Sequence, residues 1–370
     1  MLLVLPVLSA QSLRFTRKDL AKLGGERVTG SALLGRRLVT WGDRLRWLNL
    51  SEGKGTASLA RGTCAEGGAV LDVDGDGRPD IVLNDTVLND IVLNDDAPGR
   101  ALVWLEAPDW KRHAIDTAVD TTDVLAAQLF GRRGILVVHR RAQVRFYEIP
   151  HRAADRWPMT EIYSFYTPSD QGGLALADVD GDGRPDILCG NYWIRSPKSF
   201  DLPWRLFAIE LWNEEPHSAM LRLAWIGPRE LIAMQREMNG ARLACFVKPA
   251  DPRQLWTAHS ITEHGTGESL ALDHPRGFDV ADFNGDGRLD FVVGESSGAG
   301  RLFVFHNDGS GRFTPHEIAT GVAAERVHAV DWNGVGRPGV VTGKGTGIIT
   351  IGKDVISLWQ NGTRRQGIPP

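Results

Sequence analysis

The string DVDGDGRPD fills residues 72–80 and returns unchanged at 178–186; DFNGDGRLD at 282–290 is a near copy and DWNGVGRPG at 331–339 a worn one. Successive starts lie 106, 104 and 49 residues apart. Two of these intervals are close to twice the third, so the unit is about 50 residues and one further unit lies in each long gap. The segments LAAQLFGRRGILVV (125–138), LRLAWIGPRELIAM (221–234) and VTGSALLGRRLVTW (28–41) fit: each is an apolar run, a Gly-centred turn and a second apolar run. The count reaches seven.

A second register repeats with the same period, an aromatic followed five residues later by isoleucine: Trp110/Ile115, Trp157/Ile162, Trp204/Ile209, Trp256/Ile261 and Phe313/Ile318. RFTRKDLAK at 14–22 matches RFTPHEIAT at 312–320 in pattern. The chain therefore begins with the last strand of a unit, whereas GIITIGKDVISLW (347–359) supplies earlier strands and stops. Seven units of four short strands, arranged as a ring, satisfy both registers and leave no open edge. The expected fold is all-β, a seven-bladed β-propeller closed by pairing of the N- and C-terminal strands.

The chain has 370 residues, 42% hydrophobic and 24% charged, with a formal net charge of -4. Its 42 basic and 46 acidic residues are interspersed, so no field concentrates polyanions and nucleic acid is not an expected partner. The opening MLLVLPVLSA reads as a signal-peptide remnant over 1–10, implying export, with one propeller over 11–360 and a tail over 361–370. No segment approaches the roughly 20 apolar residues that span a bilayer, and a monomer is expected. Cys64, Cys189 and Cys245 have unrelated spacings and read as buried thiols. IVLND, TVLND and IVLND follow one another at 81–95 and read as a tandem expansion in a surface hairpin.

In the first acidic string Asp72, Asp74, Asp76 and Asp80 stand at positions 1, 3, 5 and 9. Alternate carboxylates converge only if the backbone wraps around a centre, which Gly75 and Gly77 permit. Hard oxygen donors in flexible geometry favour Ca²⁺ over Mg²⁺. Asp178, Asp180, Asp182 and Asp186 repeat the set, as do Asp282, Asn284, Asp286 and Asp290. An EF-hand is excluded, because position 12 would need Glu and holds Leu83, Cys189 and Val293. In the worn copy Val335 and Gly339 replace two ligands. These loops resemble the FG-GAP or VCBS repeat family, similar in pattern to integrin α-subunit propellers. The resemblance adds the position-7 carbonyl, here of Arg78, Arg184 and Arg288, and implies three structural calcium ions.

Function is then expected on the face away from the loops. Residues preceding each inner strand would gather there: Glu66, Asp123, Gln171, His217, His274, Arg276, Glu325 and Arg326, with His328 slightly deeper. Those taken to follow the second strands would join them: Tyr192, Trp193, Arg195, Arg236, Glu237 and Glu295. His113, His259 and His316 keep one repeat position and read as strand residues. Three readings stay open. A binding module for carbohydrate or a protein surface would stack ligands on Tyr192 and Trp193 and use Arg195, His217 and Arg276 as donors. Some VCBS-type propellers resemble carbohydrate lyases or dehydratases, for which His217, His274 and Glu237 would supply a metal or acid/base site. A scaffold is the third. No nucleophile elbow, HExxH or phosphate-cradling loop supports an enzyme, yet propellers build sites from distant loops.

Overall fold

The computed structural model describes residues 13–362 apart from 35, 51–53, 62–63, 86–100, 118, 167–171, 212–219, 221, 236–237, 263–269 and 332–345. Seven four-stranded antiparallel sheets are arranged as the blades of a propeller. Blade one runs Val28–Leu34, Arg37–Gly42, Arg44–Asn49 and Lys54–Arg61, and blade two Cys64–Leu71, Asp80–Asp85, Ala101–Glu106 and Lys111–Asp116. Blade three comprises Thr121–Leu129, Arg132–His139, Gln143–Glu148 and Met159–Ser164; blade four comprises Ala175–Ala177, Asp186–Cys189, Tyr192–Arg195 and Arg205–Ala208. Blade five has Arg222–Trp225, Glu230–Met234, Leu243–Val247 and Thr257–Ser260, and blade six Pro275–Ala281, Asp290–Glu295, Leu302–Asn307 and Phe313–Ala319. A short ribbon pairs Asn239–Ala241 with Leu272–Asp273.

Blade seven closes the ring. Its strands Arg326–Asp331, Thr346–Ile351 and Val355–Asn361 are completed by Phe15–Lys22, which pairs antiparallel with the last of them from Phe15 opposite Asn361 to Lys22 opposite Val355. The join is more than a ladder. Ser357 Oγ donates to Asp19 at 2.7 Å, Leu20 is buried, and the Phe15 ring packs edge-on against Phe283 of blade six.

The near-continuous apolar runs of the second strands follow from burial on both faces. Along IVL at 81–83, Ile81 and Leu83 enter the layer shared with blade one, whereas Val82 enters the layer shared with blade three. Seven apolar clusters occur among the described residues, one at each junction between neighbouring blades. The aromatic/isoleucine register belongs to the fourth strands and their approaches; Trp157, Ile162, Trp204, Ile209, Trp256 and Ile261 are all buried. Inner strands touch those of neighbouring blades, blade seven against blade one included. Glycine permits the approach. A Cβ on Gly277 of blade six would lie 2.3 Å from Val327 of blade seven. Cys189 and Cys245 are buried free thiols, and burial pushes that of Cys245 up to about 12. Among the described residues no helix is long and apolar enough to cross a membrane.

Candidate functional site

The three acidic strings lie between the first and second strands of blades two, four and six. They share one conformation. Position 1 accepts the N–H groups of both glycines: Asp72 from Gly75 and Gly77 (2.7 and 3.0 Å), Asp178 from Gly181 and Gly183 (both 2.9 Å), and Asp282 from Gly285 and Gly287 (2.6 and 2.9 Å); Asp178 and Asp282 also accept those of Asp182 and Asp286. Both glycines of each loop have φ between +77° and +87°, the left-handed region in which a side chain is strained. Asp74, Asp180 and Asn284 each accept from the N–H two residues on, and Asp76, Asp182 and Asp286 accept from those of Arg78, Arg184 and Arg288.

Position 9 differs in kind. Asp80, Asp186 and Asp290 open the second strands and are at most 1% exposed. One oxygen of each accepts the N–H of loop residue 2 (Val73, Val179, Phe283), and the other accepts the N–H at the end of the third strand (Ala107, Ser196, Asn307), at 2.7–3.0 Å. Burial raises all three carboxyls, Asp186 to about 7.

These residues fit a calcium ion. Oxygens of Asp72, Asp74 and Asp80 lie within 4.8 Å of one another, as do those of Asp178, Asp180 and Asp182. In blade four a cationic group already meets two of these carboxylates: Arg195 Nε is 2.5 Å from Asp180, its Nη2 is 3.6 Å from Asp182, and Arg184 also pairs with Asp182. In blade six Asn284 Oδ1 accepts from Asp286 N–H, its amide nitrogen lies 2.8 Å from His306 Nδ1, and that nitrogen is 3.1 Å from Asp290. Of the worn fourth copy, 332–339 lie outside the described residues.

The opposite end of the central channel holds a cavity of about 230 Å³, walled by the opening residues of all seven inner strands and of their approaches. Asp123, Arg276, Arg326 and His328 lie on this wall, and Arg222 joins them. Sequence reasoning passed over Arg222, although its place at the head of an inner strand, inside a unit already recognised at 221–234, was signal enough. His328 Nε2 is 2.7 Å from Ser31 Oγ, and burial lowers its pKa to about 4, leaving the ring neutral at pH 7.

Several expected members stand elsewhere. Tyr192–Arg195 is the third strand of blade four and runs back toward the loops. Trp193 is fully buried, stacked on Phe207, with its Nε1–H donated to Pro252 O, so it offers no face to a ligand. Arg195 belongs to the acidic loop, at the other end of the channel from the predicted site. Tyr192 packs on Phe165. Glu295 is buried, accepting from Asp273 N–H and pairing with Arg301. His274 sits at φ +48° with Nδ1 2.5 Å from Asp273, outside the cavity wall. Gln171, His217, Arg236 and Glu237 lie outside the described residues, as does the side chain of Glu66.

Residues 282–342 match the FG-GAP-like repeat family. The chain is thus a seven-bladed β-propeller that carries an FG-GAP-like repeat in its sixth and seventh blades. No curated protein matches it. Solved structures are similar in fold. YCF48 from Cyanidioschyzon merolae aligns with TM-score 0.52 at 9% identity, covering 93% of this chain and 98% of its own. A putative 6-phosphogluconolactonase from Bacteroides uniformis gives 0.53 at 12%, covering 92% of each chain. An ancestral GH74 enzyme gives 0.53 at 10%, covering 93% of this chain and 49% of its own. At such identities the likeness is one of architecture.

Proposed function

We propose that this chain is an exported, calcium-braced propeller serving as a ligand-binding module, which takes part of a carbohydrate or protein ligand into the channel mouth. The observation that supports it is the separation of two polar regions: oxygen-rich loops at one end of the inner strands, and a cavity walled by hydrogen-bonding side chains at the other. Asp72, Asp74, Asp76 and Asp80, with their counterparts in blades four and six, would hold the ions. The bound cation neutralises carboxylates that otherwise crowd one another, and so fixes the turn. The rigid ring leaves the far end free to be specialised.

An enzyme is the second reading, favoured by the Ser31–His328 pair on the cavity wall. A neutral imidazole can accept a proton, and His328→Asn would then abolish turnover while leaving ligand binding intact. For the binding reading, Leu223→Trp fills the cavity from its wall. Calorimetry with carbohydrate and peptide ligands is expected to show binding that this variant loses while its melting temperature holds; binding indifferent to it would place the site elsewhere.

A further inference from the structure

At the loop end of blade four, away from the channel mouth, a second cavity of about 350 Å³ opens between the acidic turn and the turn that joins the third and fourth strands. Four cationic side chains line it: Arg184 from the first turn, Lys198 from the second, and Arg195 and Arg205 from the two strands. Among the described residues no carboxylate does. Residues 172–211 are described without a gap, as are the turns at the same end of blades three and five, so no acid of these segments is left uncounted.

Arg195 and Arg205 stand directly opposite each other in the antiparallel ladder. Such partners share one face of the sheet with Cβ atoms about 4.5–5.5 Å apart, and like charges there repel. Asp180 and Asp182 draw Arg195 aside, whereas the side chains of Arg205 and Lys198 have no hydrogen-bond or ion-pair partner among the described residues. Arg184 pairs with Asp182, yet its Nε is buried without a hydrogen-bond partner among those residues. Two carboxylates thus stand against four cations, and both belong to the loop proposed to hold an ion. An ion bound there takes up their charge and leaves all four cations to a ligand.

We infer that this cavity binds a tetrahedral oxyanion, the sulfate or phosphate group of a free ion or of an ester, and that calcium in the adjoining loop tightens it. Cations presented by two strands and two turns suit charge spread over several oxygens better than the single edge of a carboxylate. The volume lies near the lower end of the roughly 300–1,000 Å³ of ligand pockets. It admits one such group with a sugar ring beside it, against the apolar wall of Leu202 and Pro203. The site is independent of the channel-mouth reading, and only its link to calcium rests on the proposed ion sites.

Isothermal titration of the calcium-loaded full chain at constant ionic strength, with sodium sulfate, galactose 6-sulfate and galactose, tests this. Sulfate should bind saturably and galactose should not. Lys198→Gln and Arg205→Gln should each weaken sulfate about tenfold, the size expected for a charged hydrogen bond. Arg253→Gln, an exposed arginine at the same end of blade five, should leave it unchanged. Unchanged melting temperatures would show that these variants fold. Tighter binding of galactose 6-sulfate would identify an ester as the source, and equal or weaker binding the free ion. No saturable sulfate binding, equal binding of galactose, indifference to both Gln variants at Lys198 and Arg205, or the same loss in Arg253→Gln would overturn the inference. Chelator should weaken sulfate severalfold and, reciprocally, saturating sulfate should tighten calcium by the same factor. Sulfate affinity that ignores calcium in a chain shown to load the blade-four loop would overturn the link. A chain that loads no calcium there yet binds sulfate would overturn the ion reading and the link with it, and leave the cavity assignment standing.

Discussion

Blades one, three and five close their inner turns without an acidic loop, and blades two, four and six close theirs with one. The same backbone donor is satisfied in both sets by different means. In the plain blades the N–H just past the third strand goes to a carbonyl of the inner turn: Leu50 to Arg36, Ile149 to Arg133 and Lys248 to Arg229, at 2.8–2.9 Å. In the loop blades the longer turn carries that carbonyl out of reach, and the position-9 carboxylate of Asp80, Asp186 or Asp290 takes its place. Position 9 is therefore part of the blade as well as of the loop, whereas positions 3 and 5 serve only the loop. The acidic motif combines a structural aspartate with the loop carboxylates proposed as ion ligands.

Blade seven closes in a third way, by pairing strands from the two ends of the chain, and this closure should be the hardest to forgo. A variant starting at Gly24 loses Phe15–Lys22 together with the buried Leu20 and Leu23. At roughly 2 to 3 kcal/mol for each buried leucine, denaturant melts should show a loss of about 5 kcal/mol or outright aggregation relative to a chain starting at Gln11. Equal stability of the two would mean that the terminal strand does not close the ring.

Asp186→Ala strands two buried donors, Val179 N–H and Ser196 N–H. At about 1–3 kcal/mol per unsatisfied group, the expected cost is about 3 kcal/mol, with most of it persisting in chelator. A loss that vanishes when calcium is removed would make position 9 a ligand and nothing more.

That dual role was beyond the sequence, which shows Asp80 only as the last acidic residue of a periodic string. Blade count, period and closure were legible because each was written twice, in the acidic strings and in the aromatic/isoleucine steps, and a one-residue slip would turn every apolar side chain to the wrong face. The site was less legible for a geometric reason. Antiparallel strands reverse direction at each turn, so taking Tyr192–Arg195 as residues emerging after the second strand, when they form the third, sent Arg195 to the wrong end of the channel. Trp193 looked like a platform for a ligand because its partner Phe207 lies on the next strand of the same blade.

Acidity separates the two sets more finely. Burial lifts the ion-free Asp186 carboxyl to about 7, above its unfolded value near 3.8, so the native state holds the extra proton and this contribution is lost as pH rises from about 4 to 7. A bound cation reverses the shift. His139 has the opposite sign: burial lowers it to about 4, and its contribution is lost as pH falls from 6.5. The melting-temperature difference between wild type and Asp186→Asn isolates the first. The corresponding stability difference should slope with pH in chelator, by up to about 1.4 kcal/mol per pH unit within the window, and flatten in calcium. Identical slopes in both would argue against an ion at Asp186.

The smallest effect concerns the loops themselves. Arg195 occupies the Asp180 carboxylate, whereas Glu106, at the corresponding end of the third strand in blade two, pairs with His113. An arginine meets position 5 in all three loops, Asp76, Asp182 and Asp286, but among the described residues only blade four also sets one against position 3, where an ion would have to displace it or share the carboxylate. Arg195→Met should tighten the weakest of the calcium sites severalfold, about 1 kcal/mol for a partly exposed pair, as read by calorimetric titration. No change would mean that the arginine leaves the carboxylate free to bind.

Calcium stoichiometry tests the account most directly. Titration of the chelator-treated full chain, with metal analysis of the dialysed product, should give three ions per chain and two in Asp182→Ala, with the melting temperature rising with free calcium. One ion or none, or a melting temperature indifferent to calcium, would contradict it.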